Sequence, residues 1–338
     1  MNNRSPSTAM PHPRKQAGAL HFISIALLTL GVACAAVAQD TWPTRPLKLI
    51  APFAPAGPLD VAARAISGKL ADALGQPVVV ENIAGAGGGV GMLRVSQSAG
   101  DGYTLGLGHV GSLTFGPLIN PKIGFDTLKS FAPVTLLCDY ANVLMVGAGE
   151  PYANLTELIR AARENPGKIA YSSSGVGSSN HLSGELLAAM TGVKLTHVPT
   201  RGSAPAMIEL VSGRVNFMFD VLLNSMPNLQ AGKLRALAVT NNTGVARLPG
   251  VPPLSKSVAG YEVLGWVSLM AAPGTPPRVV ERIHVEVEKI MKMPDVIAQY
   301  ATVGFDVRTS TPAELQAMMK KDLELWGPII KAAGIKAE

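Results

Sequence analysis

The chain has 338 residues, of which 47% are hydrophobic and 15% charged, and it carries a net charge of +6. That is enough apolar material to bury a core and enough length for more than one folding unit, which excludes a disordered or low-complexity protein. Lysine and arginine are scattered, with no basic block and no interleaved aromatic patch, so the positive charge does not point to nucleic acid.

Residues 1–18 are polar and include Arg4, Arg14 and Lys15; an uncharged run from Ala19 to Ala38 follows and ends Ala36-Val37-Ala38. A basic start, an apolar run and an A-x-A end predict a secretory signal over residues 1–38, cut after Ala38, and hence a periplasmic protein. An uncleaved anchor is the alternative, because such a run just reaches spanning length. Against it, His21, Ser24 and Thr29 interrupt the run. Cys34 as a lipid-attachment site lacks the expected leucine in Gly31-Val32-Ala33. After cleavage Cys138 is the remaining cysteine, so no internal disulfide is possible, and the net charge falls from +6 to about +3.

Leu47 to Phe53 reads as a strand and Leu59 to Leu74 as a helix. Val78-Val79-Val80 reads as a short buried strand, Val90 to Ser96 as a helix, and Tyr103 to Leu107 and Val134 to Leu137 as strands. Asn154 to Glu164 opens with Asn-x-x-Glu, a capping box, and this makes Asn154-Leu155-Thr156 a helix start rather than a glycosylation site. Strands near Ile169, Leu195 and Phe217 alternate with helices from Ser179, Ser203 and about Asn224. Leu234 to Thr240 and Tyr261 to Ala272 are strand-like, and the last stretch is helical, with Thr311-Pro312-Ala313-Glu314 supplying cap, first-turn proline and third-position glutamate. Such alternation predicts an α/β protein with parallel, doubly wound sheets. A chain that begins one unit, builds a second and returns to the first forms two lobes with a cleft. Ligands of open α/β sheets sit beyond the C-terminal strand ends, where Phe53–Asp60, Gly108–Ser112 and Ser172–His181 fall.

Four stretches carry the chemistry. In A-P-F-A-P-A-G-P-L-D, residues 51–60, prolines stiffen the loop, while Ala56 and Gly57 let the backbone approach a ligand. Asp60 there reads either as part of an ordinary strand-to-helix turn or as part of a loop presenting N–H groups to a carboxylate. G-A-G-G-G-V-G, residues 85–91, follows the second strand and lacks the acidic residue a dinucleotide site needs, so close backbone packing is the better reading. Y-S-S-S-G-V-G-S-S-N-H-L, residues 171–182, is either a linker or an anion-holding turn at a helix start. It is not G-x-S-x-G, and none of His109, His181, His197 and His284 pairs by spacing with a particular serine. His181 is either a neutral structural group or a ligand contact. Arg201, in Pro199-Thr200-Arg201-Gly202-Ser203, either clamps a carboxylate or is solvated, and Asp220 at a strand end is a candidate acceptor. No metal-ligand spacing is present and no cofactor is expected. Groups of this kind orient an anion better than they activate a nucleophile.

In the same order along residues 41–338, P-F-A-P-A-G-P-L-D, G-Q-P-V-V-V-E-N, G-A-G-G, D-G-Y-T-L, F-A-P-V-T-L, N-P-G-K-I, S-S-G-V-G-S-S-N-H-L, R-G-S-A-P-A, M-F-D, G-K-L-R-A-L-A-V-T and A-P-G-T-P-P resemble the substrate-binding receptors of tripartite tricarboxylate transporters, the Bug receptors. The resemblance implies a two-lobed periplasmic binding protein fold of type II, each lobe a mixed, mostly parallel sheet flanked by helices, joined by two crossing strands. Lobe 1 would hold residues 39–140 plus 262–338 and lobe 2 residues 141–261. It implies a non-enzymatic receptor that captures a small carboxylate and delivers it to membrane permease subunits. A sensing partner of a signalling receptor and a periplasmic serine hydrolase are the alternatives. The implied ligand-binding residues are Phe53, Ala54, Ala56, Gly57, Leu59 and Asp60 in the first pincer, and Ser173, Gly175, Ser178, Ser179, Asn180 and His181 in the second. His109, Ser112, Thr200, Arg201 and Asp220 would line the remaining walls. Three departures from the family pattern matter: Ala56 replaces a glycine, so a positive φ there would be strained; Leu59 replaces threonine; and Thr200-Arg201 replaces Tyr-Lys. The lost hydroxyl and the gained apolar group imply a ligand with an apolar or aromatic body.

Overall fold

The computed structural model describes residues 1–3, 10, 42–200, 202–245, 247–332 and 334–336. The chain separates into a unit Met1–Trp42 and a unit Pro43–Glu338. The expected signal segment, Cys34 included, lies almost entirely outside the described residues. Among the described residues no helix is long and apolar enough to cross a membrane.

β1 (Leu47–Ala51) stops short of the expected Phe53. Pro52, which follows it, has no N–H to give to a ladder. α1 (Pro58–Leu74) starts on a proline and ends on Gly75, whose φ of 71° lets its N–H reach the Ala71 carbonyl at 2.9 Å. β2 (Val78–Asn82), α2 (Gly89–Ser96) and β3 (Thr104–His109) complete a parallel trio in which β1 lies between β2 and β3. A π-helical turn, Gly111–Phe115, and a short helix α3 (Gly116–Ile119) follow; Gly111 and Pro117 hid this helical stretch from the sequence reading.

The largest difference from expectation is β4. Four residues, Val134 to Leu137, read as strand, yet β4 runs Ala132–Gly147. The polar Asp139 and Asn142 break the apolar pattern, and both have tertiary partners: Arg308 Nη1 lies 2.7 Å from Asp139, and Asn142 Nδ2 donates to Ser183 Oγ at 3.3 Å. The strand changes neighbours midway. Residues Ala132 to Ala141 pair antiparallel with β9 (Leu264–Ala271), and Asn142 to Val146 pair with β7 (Phe217–Val221).

Beyond that point α4 (Leu155–Glu164), β5 (Ala170–Ser173), α5 (Ser179–Thr191), β6 (Thr196–Pro199), α6 (Ser203–Val211), β7, α7 (Leu222–Gln230) and β8 (Leu234–Val239) build a second sheet. β5 pairs parallel with β6 and β7, and β8 runs antiparallel to β4. The chain then returns through β9 to α8 (Pro277–Met291), α9 (Pro294–Thr302), the two-residue β10 (Asp306–Val307) and α10 (Pro312–Ala332). The strand order is β2-β1-β3-β9-β4-β7-β5-β6, with β8 and β10 pairing to β4.

Both expected capping boxes form. Asn154 Oδ1 accepts from Glu157 N at 3.0 Å while Glu157 accepts from Ala153 N at 2.8 Å; Thr311 Oγ1 accepts from Glu314 N at 3.2 Å while Glu314 accepts from Thr311 N at 2.8 Å. Asn154 is thus engaged as a helix cap. The glycine run 85–91 is a packing device: Gly85, Gly87 and Gly88 have positive φ, and a Cβ on Gly91 would meet Pro52 at 2.8 Å and the Ile83 carbonyl at 2.9 Å. Cys138 is buried and unbridged.

Candidate functional site

The sheet's change of partner brings loops from both halves against one cleft of about 500 Å³. Three helices begin on its wall. Gly57 and Pro58 open α1, Ser178 and Ser179 open α5, and Gly202 and Ser203 open α6; all six residues line the space. The first N–H groups of a helix have no intrahelical acceptor and carry a partial positive charge. Three such ends facing one cleft make a site for negative charge without a formal cation.

The first loop is held from behind. Asp60 Oδ2 accepts from Ala56 N at 2.9 Å, Arg64 Nε reaches both carboxylate oxygens at 3.0 Å, and Asn82 Nδ2 ties Asp60 Oδ1 at 2.9 Å to the Phe53 carbonyl at 3.1 Å. Burial raises the Asp60 pKa, but these hydrogen bonds outweigh it and the net shift is downward. Ala56 sits at φ 64°, the left-handed region in which the sequence comparison expected strain. Ala56→Gly is therefore expected to raise stability by about 0.5–1 kcal/mol, the strain relieved minus glycine's larger unfolded-state entropy. Chemical denaturation checks this, and an unchanged or lower midpoint would show that the neighbouring contacts absorb the strain.

In the second loop Gly175 and Gly177 take positive φ values of 128° and 79°. Ser178 Oγ accepts from His181 N at 3.3 Å and caps α5. Ser174 Oγ donates to Asn180 Oδ1 at 2.6 Å, and Asn180 Nδ2 donates to Asp220 Oδ1 at 3.1 Å. Asp220 is 1% exposed, and burial pushes its pKa up to about 7 despite its donors. Ser203, from which a helix was expected, gives its hydroxyl to Asp220 Oδ1 at 3.1 Å, and Gly202 with φ 123° takes the cap position. On the far side His109 stacks at a tilt on Phe53, with ring centroids 4.9 Å apart. Desolvation lowers its pKa to about 4, so the ring is neutral.

Of the expected residues, Phe53, Ala54, Ala56, Gly57, Leu59, His109, Gly175, Ser178, Ser179, Asn180 and Asp220 line the cleft. Asp60, Ser112, Ser173, His181 and Thr200 do not; they stand behind it. Asp60 braces the first loop as described. Ser112 Oγ donates to the His109 carbonyl at 3.2 Å, Thr200 Oγ1 donates to the Ser173 carbonyl at 2.9 Å, and His181 Nδ1 accepts from Gly177 N at 3.1 Å. Arg201 lies outside the described residues. The sequence reading missed Tyr140 and Phe305, which line the cleft with ring centroids 5.2 Å apart, and also Ser203 and Asn224, while Ser174 and Val176 line it within the expected Ser172–His181 stretch. Nothing local marks Tyr140, an ordinary strand residue, or Phe305, which comes from near the end of the chain. Ser203 and Asn224 were visible only as helix-start residues.

Behind the second loop a serine does meet a histidine, contrary to the sequence reading. Ser173 Oγ lies 2.6 Å from His197 Nε2, and the His197 ring stacks on His181 at 3.9 Å. Ser173 is fully buried, and its hydroxyl also bonds Gly175, accepting from N at 3.1 Å and donating to O at 3.2 Å. The pair is therefore built into the loop's support. Among the described residues no group of three or more His, Cys, Asp or Glu is placed to hold a metal.

Known proteins share this architecture. The family model for the tripartite tricarboxylate transporter receptor, TctC, matches residues 62–335. Protein BugT of Bordetella pertussis (strain Tohama I) is 32% identical over 319 residues, covering 94% of this chain and 98% of its own. Among solved structures, the periplasmic binding protein BugD superposes with a TM-score of 0.77 at 32% identity, covering 88% of this chain and 100% of its own. R. palustris Rpa4515, solved with adipate, superposes at 0.80 with 33% identity, covering 87% and 99%. These likenesses give the described unit the two-lobed periplasmic binding protein fold. With the family model spanning most of the sequence and the same fold in its relatives, the chain belongs to the tripartite tricarboxylate transporter receptor family.

Proposed function

We propose that this protein is a periplasmic receptor that holds a small carboxylate between the loops Phe53–Asp60 and Ser173–His181 and passes it to the membrane subunits of a tripartite transporter. The observation that carries the reading is the meeting of three helix N-termini on one cleft. That R. palustris Rpa4515, which shares the fold, was solved with adipate supports it. The lobes follow the change of partner in β4: residues 39–140 plus 262–338 form one and residues 141–261 the other. Residues 1–38 act as the export signal. The apolar and aromatic lining from Phe53, Leu59, Tyr140, Val176, Val221 and Phe305 favours a carboxylate with an apolar or aromatic body.

The protein binds without chemistry in this reading, because the serine beside a histidine is sealed behind the loop. Titration calorimetry on protein stripped of co-purified ligand by unfolding and refolding is expected to find at least one mono- or dicarboxylate that binds and raises the melting temperature. A panel in which no organic anion does either would remove the reading. A fluorophosphonate probe is expected to leave the protein unlabelled, and a covalent adduct on Ser173 would favour hydrolysis instead.

A further inference from the structure

Two helices of this chain open on the same capping pattern with different chemistry. At α4, Asn154 Oδ1 accepts the Glu157 N–H at 3.0 Å, and Glu157 reaches back to accept the Ala153 N–H at 2.8 Å. At α5, Ser178 Oγ accepts the His181 N–H at 3.3 Å, and His181 Nδ1 reaches back to accept the Gly177 N–H at 3.1 Å. The spacing is identical, but at α5 an imidazole replaces the carboxylate as the reaching acceptor. An imidazole nitrogen accepts only while it is unprotonated, so the ring proton of His181 sits on Nε2. Nε2 lies 3.7 Å from Glu185 Oε1.

The N–H that His181 holds is at a tight place. Gly177 lies between Val176 and Ser178, which both line the cleft. It takes φ 79°, and Ile119 Cδ1, at the end of α3, leaves no room for a Cβ on it. A shift of Gly177 therefore moves two lining residues and their seat against α3. The ring itself is buried, with His197 of β6 stacked on it at 3.9 Å and Tyr171 of β5 beyond at 6.5 Å. Tyr171 gives its hydroxyl to Glu185 Oε1 at 2.7 Å. From the other strands packed on α5, Asp220 of β7 is engaged by Asn180 and Tyr140 of β4 by Ser179. Desolvation, and then the charge of a protonated His197, lower the His181 pKa to about 3, in accord with its role as an acceptor.

We propose that His181 is the positioning residue of the second loop: its unprotonated Nδ1 holds Gly177, and with it the cleft-facing Val176 and Ser178, and protonation of that nitrogen frees the loop. The consequence for ligand binding rests on the receptor reading above; the loop geometry does not. A proton on Nδ1 would set N–H against N–H, so the loop opens before the ring is charged. Glu185 faces the other nitrogen and does not relieve this clash. Once open, the ring titrates near its ordinary value of about 6.5. Below that value the open form takes up the extra proton, so opening is favoured about thirtyfold more at pH 5 than at pH 7.5.

Hydrogen exchange of the Gly177 amide in the ligand-free full chain, corrected for the pH dependence of intrinsic exchange, measures the opening. Protection is expected to fall about thirtyfold from pH 7.5 to pH 5, while the core amides of β4 stay better protected, which marks the opening as local. His181→Gln keeps an acceptor at the capping position but does not titrate in this range, and its Gly177 protection should change less than about threefold. Protection independent of pH in the wild type, or a thirtyfold fall retained in His181→Gln, would overturn the proposal. The wild-type profile decides the matter should the variant fail to fold. In calorimetry at pH 7.5 with the carboxylate panel above, adipate and benzoate included, any acid that binds the wild type should bind His181→Leu about tenfold or more weakly and His181→Gln within about threefold. Equal binding by His181→Leu would overturn the positioning role. If no carboxylate binds the wild type, the receptor reading falls and the exchange profile still decides the role of His181.

Discussion

Gly265→Ala is expected to lower stability by about 2–3 kcal/mol and to weaken ligand binding about tenfold or more. Gly265 lies in β9 directly opposite Tyr140 in β4, at the point where the strand passes from one sheet to the other. A Cβ there would stand 2.1 Å from Tyr140 Cζ, 2.2 Å from Cε2 and 2.6 Å from Cε1. No ring tolerates such an approach, so either the ring or the strand must move. Tyr140 has little freedom: it is 6% exposed, its ring packs on Phe305, and its hydroxyl bonds Ser179 at the start of α5. Because Tyr140 also forms part of the cleft wall, its displacement disturbs packing and binding together. Guanidinium unfolding and calorimetry measure the two effects. Gly149→Ala, with nothing within 4 Å of the added carbon, is the control and should change stability by less than about 0.5 kcal/mol. Reducing the ring in the double variant Gly265→Ala with Tyr140→Leu should recover part of the loss. An unshifted midpoint for Gly265→Ala would mean that Tyr140 swings aside freely.

The protein is expected to lose stability steeply between pH 6.5 and pH 4, with a fall in melting temperature of about 10 °C or more by pH 5. Three histidines are held neutral by burial. His109 is pushed down to about 4 by desolvation, and His181 and His197, stacked on one another, are both lowered by desolvation, His181 further by its neighbour's charge. An unfolded chain protonates its histidines near pH 6.5, so as pH falls below that value the unfolded state binds more protons and is favoured. The stabilisation is fully present above about 6.5 and is lost as pH drops through the window down to the folded-state values. For His109 alone this amounts to on the order of 3 kcal/mol. Asp220 opposes the trend. Its folded pKa of about 7 lies above the usual carboxylate value, so its contribution is greatest at low pH and fades as pH rises to 7. Burial also raises Glu150, Asp306 and Asp322, while hydrogen bonds or ion pairs lower Asp60, Asp295 and Glu314; with these carboxyls on both sides, the three buried histidines set the sign and the net slope stays positive. Melting curves from pH 4.5 to 8 measure it, and His197→Gln should flatten the slope by roughly a third. A melting temperature independent of pH across that range would show that the histidine cluster is solvated in the folded protein.

Both expectations arise from contacts that sequence alone does not display. What the sequence by itself determined is local. The caps at Asn154 and Thr311 are set by neighbours a few residues apart, and each formed where the residue pattern placed it. The ordered motifs also carried the family and its fold, and the loop from Phe53 to Leu59 together with the turn around Ser178 was legible because serine, glycine and proline at helix starts act through their own backbone. Tertiary structure decided the rest. Whether β4 ends at Leu137 or runs to Gly147 depends on partners for Asp139 and Asn142 that lie more than a hundred and about forty residues away, respectively. Whether His181 and Ser173 line the cleft or support it depends on how α5 sits against β6. Tyr140 and Phe305 became cleft features only when the chain returned through β9, because burial and hydrogen-bond satisfaction are properties of the packed molecule and not of any segment.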